Sequence, residues 1–440
     1  MVDSSFTGVC NSADCDPLVD FSAKHQEFLT HQEIVPSFKS LENYQDLGSF
    51  LQARFGNKAE EISKYVIDVS YEAANFDKLA AELTKYGILA VKNIEEQSLE
   101  LTYDKYQVSA SFAPVLKFSG KIHLTKPIEV AARLVIFEQA DFIGENQKIS
   151  ITKAIENKNA YHVYIHDLSL NNLWLDRVDS LWMSGNVKIN DINFNGVDFP
   201  FAHESMCQTN VAKQAKIEVS GKFSVKSNCL NVEGSLIANV IDINSIGKSG
   251  ELYIANAANF IGTKELAVNS YNNFKVIQNG MMASAKLHIA SNGEFYNKGI
   301  VILGNSYDGQ PHEISIKGLF NQRDAKIESY NDVKISTYAQ SGNLGLINIK
   351  HLDLVTPNKI QNQGMFYNNG FLSGEVINAN SNSYILNDNS GTVISSNDIN
   401  IIPYSIVNRN GNVINWKMDF DFDMNIDKAG NIQVVKQIKA

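Results

Sequence analysis

Proline, cysteine and charge are all scarce in this chain. Its 440 residues include 8 prolines and 4 cysteines, and 20% are charged. So little proline, beside an evident excess of asparagine, suits strands joined by turns that asparagine tolerates. Four cysteines are too few for a disulfide framework at this length. Cys10 and Cys15 sit in a polar segment, without the two further ligands that a zinc site needs nearby. Apolar runs are short as well: the longest, Val130 to Ile143, is broken by Arg133, Glu138 and Asp141, which argues against membrane insertion. The start, Met-Val-Asp-Ser-Ser-Phe-Thr-Gly-Val-Cys, lacks the basic residues and apolar run of a secretory signal. The expectation is a protein that stays inside, leaves by another route, or is the interior piece of a longer polypeptide. Positive charge is in deficit too. A net charge of -10 and a pI near 5.4 argue against nucleic acid or an anionic membrane as partner.

What is present is a folded composition, 44% hydrophobic, in a chain too long for one compact core unless it is elongated. One phrase recurs in it: apolar, any, apolar, small or polar, glycine, any, apolar. It reads Leu116-Lys-Phe118-Ser-Gly120-Lys-Ile122, Leu181-Trp-Met183-Ser-Gly185-Asn-Val187 and Ile217-Glu-Val219-Ser-Gly221-Lys-Phe223. Two further copies are Leu230-Asn-Val232-Glu-Gly234-Ser-Leu236 and Ile314-Ser-Ile316-Lys-Gly318-Leu-Phe320. Apolar residues two apart face one side of a strand, and a glycine with positive φ lets the chain bend, as expected at Gly234 and Gly318. Such short strands cannot bury their own apolar faces and must stack, which is the logic of a parallel solenoid. If each glycine pair were a hairpin turn, an antiparallel sandwich or barrel would result instead. The solenoid reading gives roughly 15 coils of about 20 residues between 110 and 415.

In chain order, residues 1–22 read as a flexible tail and 23–105 as a helical cap domain. Within the cap, Leu41, Tyr44, Leu47 and Leu51 form a helical stripe before Gly56. A second stripe runs through Ile62, Tyr65, Val66 and Val69 behind an Asn57/Glu60 capping pair, and a third helix carries Leu79, Leu83 and Tyr86 and stops at Gly87. Ile88–Ile94 and Leu99–Tyr103 read as strands. Residues 106–415 form the β-helix, with the cap covering its open edge, and 416–440 a C-terminal strand or cap.

Bends rich in asparagine mark the second half, as in Asn297-Lys-Gly299 after Leu287, Ile289 and Phe295, and twice within Ile360-Gln-Asn362-Gln-Gly364-Met-Phe366-Tyr-Asn-Asn-Gly370. Over roughly residues 215–400 this resembles the repeats of filamentous-haemagglutinin-type exoproteins. The resemblance implies a right-handed parallel β-helix, secretion to the bacterial surface, and adhesion to a host or cell-surface protein or glycan, or projection of other domains.

Several groups invite chemistry. His162-Val-Tyr-Ile-His166 puts two histidines on one side of a strand, as zinc or a general base requires; a solvent-facing polar stripe over Val163 and Ile165 explains them equally well. Asp423, Asn425 and Asp427 alternate oxygen ligands in the manner of part of a calcium loop, although Lys428 replaces its turn glycine; an acidic terminal strand is the competing reading. No other cofactor is indicated. Cys207 and Cys229 lie 22 positions apart, close to one coil, so they are either stacked neighbours able to cross-link in an oxidising compartment or two separate buried thiols. A carbohydrate-active lyase or hydrolase would need clustered carboxylates on one face, whereas the acids of the β region are scattered. The expectation is therefore a non-enzymatic adhesin or scaffold segment. A polysaccharide lyase or hydrolase, or the structural segment of a larger toxin or effector, are the alternatives.

Overall fold

Alternating apolar residues demand a face to bury them, and here each coil finds it in the coil before and after. The computed structural model describes residues 47–440, apart from 111–112, 146, 154–159, 198–206, 305–309, 340, 356–365, 369, 381–384, 389–390, 402–405, 410–411, 416–421, 427–431 and 438–440. The protein is mainly β, 67% strand and 9% helix, and its parallel β-solenoid makes about 11 turns. The hairpin alternative fails because the strands bearing the glycine phrases pair in parallel. Turns are fewer than the expected 15 because several coils are longer than 20 residues. The register partners His162 and Ser180, Leu181 and Thr209, and Thr209 and Leu230 lie 18, 28 and 21 residues apart.

Two units divide the chain, residues 36–263 and, among the described residues, 264–440. In the first, each full coil contributes three strand segments that stack into three parallel faces. Face 1 aligns Val163, Leu181, Thr209, Leu230 and Leu252 in register. Face 2 aligns Leu170, Ile189, Val219 and Ala238, and face 3 aligns Ile149, Leu173, Ile192, Phe223 and Ile241. All of these side chains point inward and are buried, each large aliphatic or aromatic one contributing about 1.5–3 kcal/mol.

The start of this unit is a mixed α/β cap, not a purely helical one. The helix Leu47–Phe55 forms where Leu47 and Leu51 predict one, while Leu41 and Tyr44 of the same stripe lie outside the described residues. The next helix stops at Ser63, and Val66–Val69 is a strand paired in parallel with Val115–Phe118. Val66 and Val69 thus belong to face 1, where β-branched residues pack well. Asn57 does not cap that helix; its N-cap is Lys58, which makes no side-chain cap bond. The helix Phe76–Thr84 buries Leu79 and Leu83, is capped by Asn75 accepting from the Lys78 amide, and ends before Gly87 at φ +76°. Ile88–Asn93 and Ser98–Tyr103 form an antiparallel pair, and the second of them extends face 2 through Leu99 and Ile122.

The glycines divide by cause. Gly120 and Gly185 have positive φ, +74° and +66°, as a bend requires. Gly221, Gly234 and Gly318 do not, contrary to the expectation for the last two; Gly318 opens an ordinary strand, Gly318–Asn321, opposite Glu294. At Gly234 the reason is space: a Cβ would lie 2.5 and 2.6 Å from the carbonyl oxygens of Ala212 and Ala215. At Gly221 a Cβ would land on the Asp191 carboxylate of the previous coil, which accepts the Lys222 amide at 2.7 Å. Gly185 likewise makes room for Asp167, which accepts the Asn186 amide at 2.7 Å. Gly234→Ala should therefore destabilise the protein by about 1–3 kcal/mol, the usual cost of overpacking. An unchanged urea midpoint would show that the coils yield freely there.

In the second unit the asparagine phrase has a structural purpose. Asn297, Asn321, Asn343 and Asn368 are fully buried and stand in register on successive coils. Each of the first three donates from Nδ2 to Oδ1 of the next, at 2.8, 2.7 and 2.9 Å. Each also donates to a main-chain carbonyl: Lys326, Leu346 and Phe371 respectively. The glycine of Asn297-Lys-Gly299 and of its counterpart Asn343-Leu-Gly345 lies where a Cβ would strike the preceding coil. Buried amides are tolerated because both ends are satisfied.

Candidate groove on face 2

On face 2 of the first unit the outward positions of five consecutive coils fall in one row: Asp141, Ser169, Lys188, Glu218 and Ile237. Inward neighbours such as Ile189 and Val219 are buried, and the two-residue period forces Lys188 and Glu218 out to solvent. Alongside, where each coil turns toward face 3, runs a hydrogen-bonded polar edge. Ser220 donates to Asn190 Oδ1 at 2.9 Å, Asn239 Nδ2 donates to the Ser220 carbonyl, and Thr263 donates to Asn239 Oδ1 at 2.9 Å. Row and edge together line an open groove of about 690 Å³. Half-buried Ile143 lies at one end and Ile237, 36% exposed, toward the other.

The groove holds two carboxylates but does not pair them. Asp141 and Glu218 are three coils apart, about 14 Å at the spacing of neighbouring strands, against the roughly 5–9.5 Å that glycoside hydrolysis uses. Lys188 stands between them in the row. The arrangement presents donors and acceptors at coil intervals to something long.

The histidine pair is held apart from any shared task. His162 Nδ1 bonds Ser180 Oγ at 2.8 Å and His166 Nδ1 bonds Ser184 Oγ at 3.0 Å, each on the next coil. The stripe faces solvent only at His166, whose side chain is 34% exposed. His162 and Tyr164 are buried under the helix Leu47–Phe55, whose Phe50 ring lies 5.0 Å from Tyr164 and 6.2 Å from Trp182, with Phe55 edge-on to His162 at 5.2 Å. This helix thus lies over the outer side of face 1. Next to it, Lys153 and Asp179 form a buried ion pair at 3.2 Å, and Asp179 also accepts the Tyr161 amide. Burial pushes the Asp179 carboxyl up, opposed by that amide and by the Lys153 ammonium. The pair braces the two ends of the segment between Lys153 and Tyr161.

Cys207 and Cys229 are joined in a disulfide, with 5.2 Å between their Cα atoms. Cys229 opens a strand of face 1, and Cys207 lies two residues before the paired strand Thr209–Val211 of the previous coil. Of the calcium candidates, Asp423 and Asn425 lie on Phe422–Ile426, paired antiparallel with Ile432–Gln437 in a separate two-stranded sheet. Asp427, Cys10, Cys15 and the tail 1–22 lie outside the described residues. Among the described residues, no group of three or more His, Cys, Asp or Glu is arranged to hold a metal, and no helix is long and apolar enough to cross a membrane.

Reading residues one coil at a time missed the groove. Asp141, Lys188 and Glu218 are unremarkable in their own strands and converge only once the coils are aligned. The unequal steps from Asp141 to Ser169, Lys188 and Glu218 hide that alignment from any fixed period.

Fold and groove together define a parallel β-solenoid with an axial groove on one face. No family model matches the chain, and neither a curated protein nor a solved structure matches it.

Proposed function

We propose that the chain is a non-enzymatic β-helical adhesin or scaffold segment that works outside the reducing cytosol, in a secreted or cell-surface protein. The disulfide between adjacent coils carries the reading. Such bonds persist in oxidising compartments and are rare where thiols are kept reduced, and this one ties the first residue of a solenoid strand to a residue just before its neighbour in the previous coil. The wide spacing of Asp141 and Glu218 supports binding in preference to hydrolysis, because the two acids that line the groove stand farther apart than the pair a glycosidase uses.

The test combines location with redox state. In cells that make the protein, intact-cell labelling with a membrane-impermeant biotin reagent should tag it, or the medium should contain it. Mass spectrometry should find Cys207 and Cys229 linked. A protein confined to the cytosol with both thiols free overturns the reading. Release of new reducing ends from a polysaccharide panel would instead identify a carbohydrate-active enzyme.

A further inference from the structure

We propose that the groove on face 2 binds a neutral oligosaccharide in extended form, lying along the solenoid axis with about one sugar per coil at the ~4.8 Å spacing of neighbouring strands. The inference deepens the binding role proposed above by naming a ligand class and a site. Three features point to it.

The first is what the groove offers. The main-chain N–H and C=O groups of face 2 are engaged in the parallel ladders between coils, so the ligand meets side chains only. A peptide adding as a strand needs a free sheet edge, and a groove on the face of a sheet supplies none. Amide and hydroxyl groups such as Asn190, Ser220 and Asn239 both donate and accept, and their mutual bonds fix how they point. A chain of hydroxyl groups, each also donor and acceptor, is the matching polymer.

The second is charge. With Lys121 in register beside Asp141 on the preceding coil, the row carries Lys121, Asp141, Lys188 and Glu218, whose charges balance, within a protein that is itself at -10. An anionic glycan or a nucleic acid finds no excess of positive charge there, whereas a neutral chain needs none. Lys188 and Glu218 form no ion pair with each other among the described residues, so both heads are available to hydroxyls at charge-assisted strength.

The third is the apolar contact. Ile143 and Ile237 offer aliphatic surface inside the groove, beside its row of polar side chains. The C–H faces of a pyranose ring are the complement of such surface, whereas a simple polyamide or polyphosphate backbone has no use for it.

The test is calorimetric titration of the full chain with cellohexaose, xylohexaose, mannohexaose, chitohexaose and, as the anionic comparison, hexagalacturonate. At least one neutral hexasaccharide should bind, its disaccharide at least tenfold more weakly, because the shorter ligand spans fewer coils. Ser169→Trp fills the middle of the row and should weaken that binding tenfold or more, whereas Ser224→Trp on the outer side of face 3 should leave it unchanged. If Ser169→Trp does not fold, Lys188→Ala and Glu218→Ala take its place, each expected to weaken binding at least threefold with an unchanged thermal midpoint. The proposal is overturned if none of the four neutral ligands binds, if binding survives the groove variants, or if hexagalacturonate is preferred. None of those results touches the location and redox state of the protein, so failure here is distinguishable from failure of the broader reading.

Discussion

Asn321→Ala lowers the free energy of unfolding by about 2–4 kcal/mol, combining the loss of buried hydrogen bonds with the cavity left behind. Asn321 accepts from Asn297 and donates to both Asn343 Oδ1 and the Leu346 carbonyl, all with its side chain at 0% exposure. Alanine leaves those two acceptors without that donor in a site closed to water. Leucine, despite its favourable transfer energy, orphans the same groups and should be no better than alanine. Lys334→Ala gives the contrast: its ammonium is 4.0 Å from Glu313 on an exposed surface, and such a pair is worth at most about 1 kcal/mol. Chemical denaturation followed by tryptophan-independent circular dichroism reads the difference. Equal midpoints for Asn321→Ala and Lys334→Ala would mean that the ladder contributes no net stability.

Cys229→Ser should lower stability by about 3 kcal/mol, the chain-entropy value for a closed loop of this size. The 22-residue separation of the two cysteines is a single turn of the solenoid, so the bond restricts an unfolded chain whose ends would otherwise have to find adjacent coils. A reducing agent should produce the same loss in the parent protein and no further loss in the variant, a comparison that separates the bond from the packing of the sulfur against Tyr253. Native-state hydrogen exchange places the effect: protection should fall in Thr209–Val211 and Cys229–Val232, the paired strands at the bond. If reduction leaves the unfolding midpoint where it was, the bond is incidental to stability.

The two-residue period and the recurrent glycine were enough to read a parallel solenoid from the chain, because both are local consequences of a strand that bends. The cysteine pair was legible for a related reason, since its separation comes close to one coil. Less legible was why each glycine is there. Gly185 and Gly221 make room for Asp167 and Asp191, which lie 18 and 30 residues earlier, and a cause that distant leaves no mark in the phrase itself. The stripe through Val66 and Val69 misled because apolar residues three apart satisfy a helix, while pairing with face 1 rewards them as a strand. His162 read as solvent-facing for want of any local sign that a helix more than a hundred residues upstream would lie over it and Tyr164. Asparagine was visible as composition and as a bend, but its burial in a hydrogen-bonded column depends on equal placement in successive coils. That is a property of the stack and of no single repeat.

The asparagine column also bears on how such a chain can change length. Each buried amide finds its partners in the coil before and the coil after, and those partners are again asparagines with main-chain carbonyls beside them. A duplicated stretch of DNA encoding one whole coil would deliver a residue already matched on both sides. A duplication of half a coil would leave two amides facing hydrocarbon. Length is thereby quantised, and descendants of this chain are free to lengthen or shorten one coil at a time while the face that carries the groove is left untouched.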